Sequence, residues 1–231
     1  MIVGNGLLAR AFHARYANVD DVVVFASGVS NSLESDPNAF AREHALLEDL
    51  LASAQRRLIY FSSCGVVNQQ EMSPYMQHKA RMESLVTTYA GGLVLRLPQV
   101  VGYTPNPNTL TNFIRDRIIA SEPFTVWAKA ERNLVDIDDI VAIGSAAIDS
   151  AGPSLPIINI AAESSTPVPE IVRILEDVLQ RQARCTIEDK GNQLRIDSSH
   201  ASTIARRLGI DLGTGYAERV LRKYYGPTSE T

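Results

Sequence analysis

Apolar residues in this chain come in short unbroken runs separated by stretches of helical spacing. Ile2–Val3, Val22–Phe25, Leu58–Phe61 and Leu93–Leu97 are continuously apolar, as strands covered on both faces are. Between them Leu7–Tyr16 reads as a helix, and Phe40–Ala54 as another with apolar positions at Leu46, Leu47, Leu50 and Leu51. A further helix is predicted from Ser73–Pro74–Tyr75. Ser73 suits the N-cap, Pro74 the first helical position, and Gly91–Gly92 the end. This alternation predicts an α/β fold with a parallel sheet. After Gly102 the pattern loosens. Asn106–Pro107–Asn108 reads as a turn, Leu110–Ala120 as a helix, and Phe124–Trp127 and Ile157–Ala161 as strands. Pro169–Gln182 has the spacing of an amphipathic helix, and Arg195 to Tyr225 is mostly helical and polar. The expected organisation is a core over residues 1–102 and a smaller, discontinuous lobe over 103–231, with 132–148 returning to the core.

Composition narrows the class. The 231 residues carry a net charge of -4, which argues against a nucleic-acid binder. No apolar run is long enough to span a bilayer. Met1 leads straight into Ile2–Val3–Gly4 without the basic segment of a signal peptide. Cys64 and Cys185 have no metal-site spacing, and His13, His44 and His200 are scattered, so no metal is expected. A reducing, cytoplasmic setting is the natural expectation.

Two local patterns carry chemistry. Gly4-Asn5-Gly6-Leu7-Leu8-Ala9 fits G-x-G-x-x-[GA] between a strand and a helix. In such a turn the first glycine permits the bend, the second lets a pyrophosphate approach the backbone, and the small last residue allows close helix–strand packing. The helix then offers free N–H groups to the anion. No carboxylate stands about 20 residues on, where one would hold the ribose of NAD; that span reaches Ala26–Ser27, and Asp20 and Asp21 precede their strand. Arg10 is the candidate for a 2′-phosphate. The second pattern is Tyr75-Met-Gln-His-Lys79, which puts a phenol and an ammonium on one helical face. The ammonium is expected to lower the phenol's pKa, so that Tyr75 can exchange a proton with a carbonyl or alcohol. Ser63, at the carboxyl end of the Leu58–Phe61 strand, would hold the same oxygen. His78 is expected to face solvent.

These residues resemble the extended short-chain dehydrogenase/reductase family of sugar-nucleotide epimerases, dehydratases and reductases. Phe25-Ala-Ser-Gly28 is similar to a loop that lies along the cofactor there, and Tyr60-Phe-Ser-Ser-Cys-Gly-Val-Val67 to the strand bearing the catalytic hydroxyl. The register points to Ser63 in preference to Ser62, with Val67 in place of the usual Tyr. Arg96-Leu-Pro-Gln-Val-Val-Gly102 resembles a segment that sets Pro98 near the nicotinamide and Gln99 near the sugar nucleotide. Pro107-Asn-Thr-Leu110 resembles the entry to the substrate lobe. Arg132-Asn-Leu-Val-Asp-Ile-Asp-Asp139 resembles a motif whose Arg pairs with a substrate phosphate, while Asp138 and Asp139 read as caps.

The resemblance implies a Rossmann-like sheet with a small discontinuous substrate lobe. It implies NAD or NADP held by Gly4, Asn5, Gly6, Leu7, Leu8, Arg10, Ala26, Ser27, Phe61, Ser62, Tyr75, Lys79 and Pro98. Ser63, Tyr75 and Lys79 would be catalytic, and Gln99, Leu110 and Arg132 would meet a nucleotide sugar. It also allows for a homodimer. Between the glycine helix and the Phe25–Gly28 loop the family places two more strands and a helix; here only Ala17–Asp21 intervenes, so part of the adenosine-binding half is missing. The stretch from Ser63 to Tyr75 is about half the family's length. The helix Asn that steadies the Tyr–Lys pair has no counterpart, and Glu43 or His44 stands near its place. The Asp-Glu pair of the dehydratases is replaced by Cys64–Gly65, which disfavours dehydration; Cys64 reads as a small buried core thiol. The activity expected is a keto-sugar reductase, with a sugar-nucleotide epimerase, or a non-catalytic nucleotide- or protein-binding relative, as alternatives.

Overall fold

The computed structural model describes residues 1–53, 57–67, 72–150, 155–193 and 195–227. Ala54, the last residue of the predicted second helix, lies outside them. The chain forms two compact units: residues 1–97 with 138–160, and residues 98–137 with 161–231. In chain order the elements are β1 (Ile2–Val3), α1 (Leu7–Tyr16), β2 (Val22–Phe25), α2 (Pro37–Ser53), β3 (Arg57–Ser63), α3 (Pro74–Thr88), β4 (Gly92–Leu97), β5 (Gln99–Val101), α4 (Leu110–Ala120), β6 (Phe124–Trp127), β7 (Glu131–Arg132), β8 (Leu134–Asp136), α5 (Ile137–Ser150), β9 (Ile157–Asn159), β10 (Thr166–Pro167), α6 (Val168–Leu179), β11 (Cys185–Glu188), α7 (Ser199–Leu208) and α8 (Tyr216–Tyr225).

In the first unit, among the described residues, five parallel strands run in the order β1-β2-β3-β4-β9. All four residues of β2 are buried, as are Leu58 to Phe61 of β3, which accounts for their unbroken apolar runs. The helices divide between the two faces. Tyr60 turns towards α2 and α3, where its hydroxyl meets Glu43 and Lys79. Its neighbour Phe61 points the other way and packs on Phe12 of α1, ring centroids 5.2 Å apart. Around Tyr60, the core joins Val23, Phe25, Leu47, Leu58, Met82 and Val86.

Strand order follows chain order from β1 to β4, yet α1 lies on the face opposite α2 and α3. The β1–α1–β2 crossover therefore has the opposite hand to the two that follow. Parallel crossovers are right-handed in nearly all proteins. The short Ala17–Asp21 connection marks β1–α1–β2 as the exception: α1 sits on the face it would occupy before further strands, and the chain returns directly to β2. The sheet consequently has β1 at its edge.

Ser73 caps α3 by accepting from Met76 N at 3.3 Å, with Pro74 at the first position. The helix closes at Thr88, a turn before Gly91–Gly92. Its buried face is Tyr75, His78, Lys79, Met82, Glu83 and Val86, a clean helical stripe of mostly polar residues.

The second unit is built from paired short strands and helices. β5 runs parallel to β8, β6 parallel to β11, and β7 antiparallel to β10. Asn133 is 2% exposed and works as a backbone clasp, accepting from Ala162 N at 2.9 Å and donating to Ala162 O and Ser164 O. Asp136 ties β8 to α8 through Lys223 Nζ and the Tyr224 hydroxyl, each at 2.6 Å. Among the described residues no helix is long and apolar enough to cross a membrane.

Candidate active site

At the carboxyl ends of β1 and β2, Gly4, Ala26, Ser27 and Lys79 fall along one line of contacts, with Tyr75 beside Lys79. After β1 the chain turns at Gly4, whose φ of +123° suits glycine and where a Cβ would collide with the Ala26 carbonyl. The glycine loop thus rests directly on the Ala26–Ser27 backbone that follows β2. At the next bend Gly28 comes so close to the Glu43–Lys79 pair that a Cβ would lie 2.8 Å from both Glu43 Oε1 and Lys79 Nζ. The sequence from Gly4 through Ser27 to Lys79 is therefore one continuous contact path.

At its end lies a fully buried carboxylate. Glu43, 0% exposed, accepts four hydrogen bonds: from the Tyr60 hydroxyl at 2.6 Å and Lys79 Nζ at 3.0 Å on Oε1, and from Val29 N at 2.6 Å and His78 Nε2 at 3.0 Å on Oε2. A carboxylate offers about four acceptor sites, so Glu43 is saturated. Because it can only accept, the His78 proton must sit on Nε2. Burial pushes the Glu43 carboxyl up, but Lys79, the Tyr60 hydroxyl and the Val29 N–H together hold it below the usual carboxylate value. Lys79 also donates to the Tyr60 hydroxyl at 2.9 Å, closing a triangle of Glu43, Tyr60 and Lys79. Its ammonium is 5.7 Å from the Tyr75 ring centroid.

Two expectations are corrected here. His78 does not face solvent: it is 6% exposed, stacks on Phe40 with centroids 4.6 Å apart, and is held below its ordinary pKa chiefly by burial. Its place follows from the helix, since residue i+3 shares the face that Tyr75 and Lys79 define at i and i+4. The Tyr75 phenol is not lowered either. Burial first, and the Glu43 carboxylate second, push it up to about 12. The ammonium meant to lower it is neutralised from α2.

At the end of β3 Ser63 Oγ accepts from Gly65 N at 3.1 Å. The buried Ser62 Oγ has no hydrogen-bond partner among the described residues. Cys64 is 1% exposed, and burial raises its thiol to about 12, so it is a core residue. Arg10 lies over the glycine loop, donating to Asn5 O at 3.1 Å. No cluster of metal-ligating side chains occurs among the described residues.

A sequence profile described as the NAD dependent epimerase/dehydratase family matches residues 5–161. The chain belongs to this family. No curated protein matches it in sequence, whereas many solved structures share its fold. UDP-glucose 4-epimerase of Thermus thermophilus, solved with NAD, superimposes with a TM-score of 0.70 at 16% identity, covering 94% of this chain and 80% of that one. UDP-glucuronic acid 4-epimerase of Bacillus cereus, with UDP-glucuronic acid and NAD, gives 0.66 at 19% identity, covering 94% and 79%. RMD of Pseudomonas aeruginosa, complexed with NADPH, gives 0.66 at 17% identity, covering 91% and 82%.

The remaining candidates of this family member lie in the second unit, which begins at Pro98. Gln99 N donates to Asn133 O at 3.0 Å, and Leu110 opens α4 behind the Thr109 cap. Arg132 is half-buried, donates from Nη1 to the Glu131 carbonyl at 2.7 Å, and has no carboxylate partner among the described residues. Desolvation holds its guanidinium below its ordinary value. An unpaired, partly desolvated guanidinium of this kind favours an incoming anion.

Proposed function

We propose that this chain is an oxidoreductase that uses NAD or NADP on a nucleotide-activated sugar, and that its reaction is the reduction of a keto-sugar. The observation that carries the reading is the unbroken path from the glycine loop, along Ala26–Ser27 and Gly28, to Lys79 and Tyr75. Ligands of open α/β sheets bind outside the carboxyl ends of the strands, where this path lies.

The residues present fit a dinucleotide. A Cβ placed at Gly6 meets nothing within 4 Å, so the loop is open where a pyrophosphate approaches. The first turn of α1 has no side-chain cap and no acidic residue, leaving its N–H groups to an anion. The orphan Ser62 hydroxyl adds an unused polar atom at the end of β3. Gly4, Gly6 and the start of α1 would hold the phosphates, and Ser62 and Lys79 the polar groups nearer the reacting end. A nicotinamide held there would supply the hydride. Tyr75 gives the proton to the carbonyl oxygen, Ser63 hydrogen-bonds the same oxygen, and Lys79 orients Tyr75. Solved relatives in complex with NAD, NADPH, UDP-glucose and UDP-glucuronic acid support the choice of cofactor and substrate class. On the second unit, Arg132 is the candidate for the substrate diphosphate, with Gln99 and Leu110.

One observation favours a second reading, a relative that binds a nucleotide or a partner without turnover. The described sheet ends at β1, so the strands that would carry further contacts to adenosine are not there. Titration with NAD(H) and NADP(H), followed by nicotinamide fluorescence, decides between the two. Saturable binding with turnover of 4-keto sugar nucleotides, abolished in Tyr75→Phe while cofactor affinity is kept, is the expected result. No binding of any form up to millimolar concentration would sink the enzyme reading. Interconversion of two sugar epimers without net change of cofactor would replace the reductase with an epimerase.

A further inference from the structure

The Tyr–Lys pair of this protein is wired into α2 in a way that its proposed chemistry does not require. We propose that Glu43 is a positioning residue that cancels the charge of Lys79 and so keeps Tyr75 protonated, as the proton donor of carbonyl reduction, up to alkaline pH. This rests on the oxidoreductase reading above.

The geometry is specific. Two of the three N–H donors of Lys79 are engaged, by Glu43 Oε1 at 3.0 Å and the Tyr60 hydroxyl at 2.9 Å, and the Tyr60 hydroxyl returns its own proton to the same Oε1. The ammonium and carboxylate are 3% and 0% exposed, so no water screens one from the other. The pairing is built in from three sides. The Val29 N–H and His78 fix the second carboxylate oxygen, and the missing side chain at Gly28 leaves the room in which the pair meets. From outside, Tyr75 therefore faces a neutral ion pair where a lone cation would otherwise stand.

The other groups around Tyr75 do not restore that cation. From β3 comes Tyr60, whose own phenol burial pushes well above the usual value. From its own helix come His78, neutral because its surroundings are dry, and Glu83. The latter is held by Arg96 of β4 in a two-pronged bond at 2.8 and 2.5 Å. With a phenol at about 12, the phenolate fraction at pH 7 is about one in 10⁵. A general base is thus scarce and a general acid abundant.

The step balances as a reduction. The electron pair that enters the carbonyl carbon comes with hydride from a reduced nicotinamide dinucleotide. The C=O π pair moves to oxygen, which takes the Tyr75 proton, and the phenolate left behind is reprotonated from solvent. Since a neutral alcohol is a far weaker acid than Tyr75, proton transfer runs towards the product. Oxidation would need the phenolate first.

The test is the ionisation of Tyr75 itself, read as tyrosinate absorbance in the difference between the wild-type protein and Tyr75→Phe, without cofactor. At pH 10, where an ordinary phenol is half ionised, Tyr75 should contribute no tyrosinate. In Glu43→Gln, which keeps shape and removes the charge, its midpoint should fall by at least about one pH unit. The alkaline limb of keto-sugar reduction should move with it. A wild-type Tyr75 that titrates below about pH 9 overturns the proposal. So does a folded Glu43→Gln protein with the Tyr75 midpoint unmoved, which would leave Glu43 a purely structural partner. If that variant does not fold, Glu43→Asp, which shortens the carboxylate's reach to Lys79, takes its place, and an unmoved Tyr75 midpoint there overturns the proposal equally. Failure of the oxidoreductase reading shows separately, as lack of dinucleotide binding.

Discussion

Replacing Gly28 by alanine tests the centre of the site without touching any charged or hydroxyl group. The new methyl would lie 2.8 Å from both Glu43 Oε1 and Lys79 Nζ and 3.2 Å from Glu43 Cδ. Ordinary contact begins near 3.4 Å, so two atoms of one ion pair must each retreat by about 0.6 Å. Neither can do so freely. Glu43 is pinned through its other oxygen by Val29 N and His78, and Lys79 by the Tyr60 hydroxyl. The backbone is not the obstacle, because Gly28 is not among the positive-φ residues. Overpacking of a filled core costs about 1–3 kcal/mol, and complete loss of a buried pair about 3–5. The lower entropy of the unfolded alanine chain returns about 0.4–1 kcal/mol. The expected net loss is about 0.5–2.5 kcal/mol, seen as a lower urea midpoint at unchanged slope. Far-ultraviolet circular dichroism is the proper probe, since Trp127 belongs to the second unit. A Gly28→Ala protein as stable as the wild type would mean that the ion pair does not sit under this loop.

Gly6→Ala is the matching control: nothing lies within 4 Å of its Cβ, so stability should stay within about 0.5 kcal/mol. If a pyrophosphate packs on this loop, nicotinamide dinucleotide affinity should nevertheless fall at least about tenfold by fluorescence titration. With its thiol raised to about 12, Cys64 has about one thiolate in 10⁴ at pH 8. Mass spectrometry after brief iodoacetamide treatment of native protein should find Cys185 modified and Cys64 intact. Glu43 has a folded pKa below its ordinary 4.5, so its contribution to stability is present above the unfolded value and lost as pH falls through the folded one. Urea midpoints measured from pH 6 to pH 3 should fall less steeply in Glu43→Gln than in the wild type.

Residues that could be read from the sequence are those whose environment is set locally. The full apolarity of Val22–Phe25 and Leu58–Phe61 marks strands with two covered faces, and α1 and α4 carry their boundaries in their own spacing. The face of α3 escapes such a reading because four of its six buried positions, Tyr75, His78, Lys79 and Glu83, are ionisable. A rule that equates buried with apolar turns His78 outward. Geometry alone, applied to the Tyr75–Lys79 spacing, turns it inward. The raised phenol of Tyr75 depends on Glu43, 32 positions away on another helix, and family resemblance offers that position only as one of two. The strands of two or three residues in the second unit, β5, β7, β8 and β10, escape for a related reason. Each exists through a distant partner, as Gln99 does with Leu134 and Thr166 with Arg132, and carries too few residues to show a period.

The short Ala17–Asp21 connection explains more than a missing half-sheet. Where α1 is followed by further strands on the far side of β1, the chain can reach β2 with the usual hand. Joined directly, α1 must return across the β1 end on the face away from α2 and α3, and the crossover takes the rare hand. That arrangement persists because its side chains are committed elsewhere: Ala9, Phe12 and Tyr16 are buried, and Phe12 packs on Phe61 and lies against Gly144 of α5. Moving α1 to the other face would strip this apolar stripe of its present partners, at about 1.5–3 kcal/mol per large buried side chain. The same packing keeps the start of α1 and the glycine loop at the carboxyl end of β1, against Ala26 and Ser27. The described sheet thus ends at β1 with the loop, the β2 backbone and the Glu43–Lys79–Tyr75 cluster, on which the proposed reduction would depend, still in place.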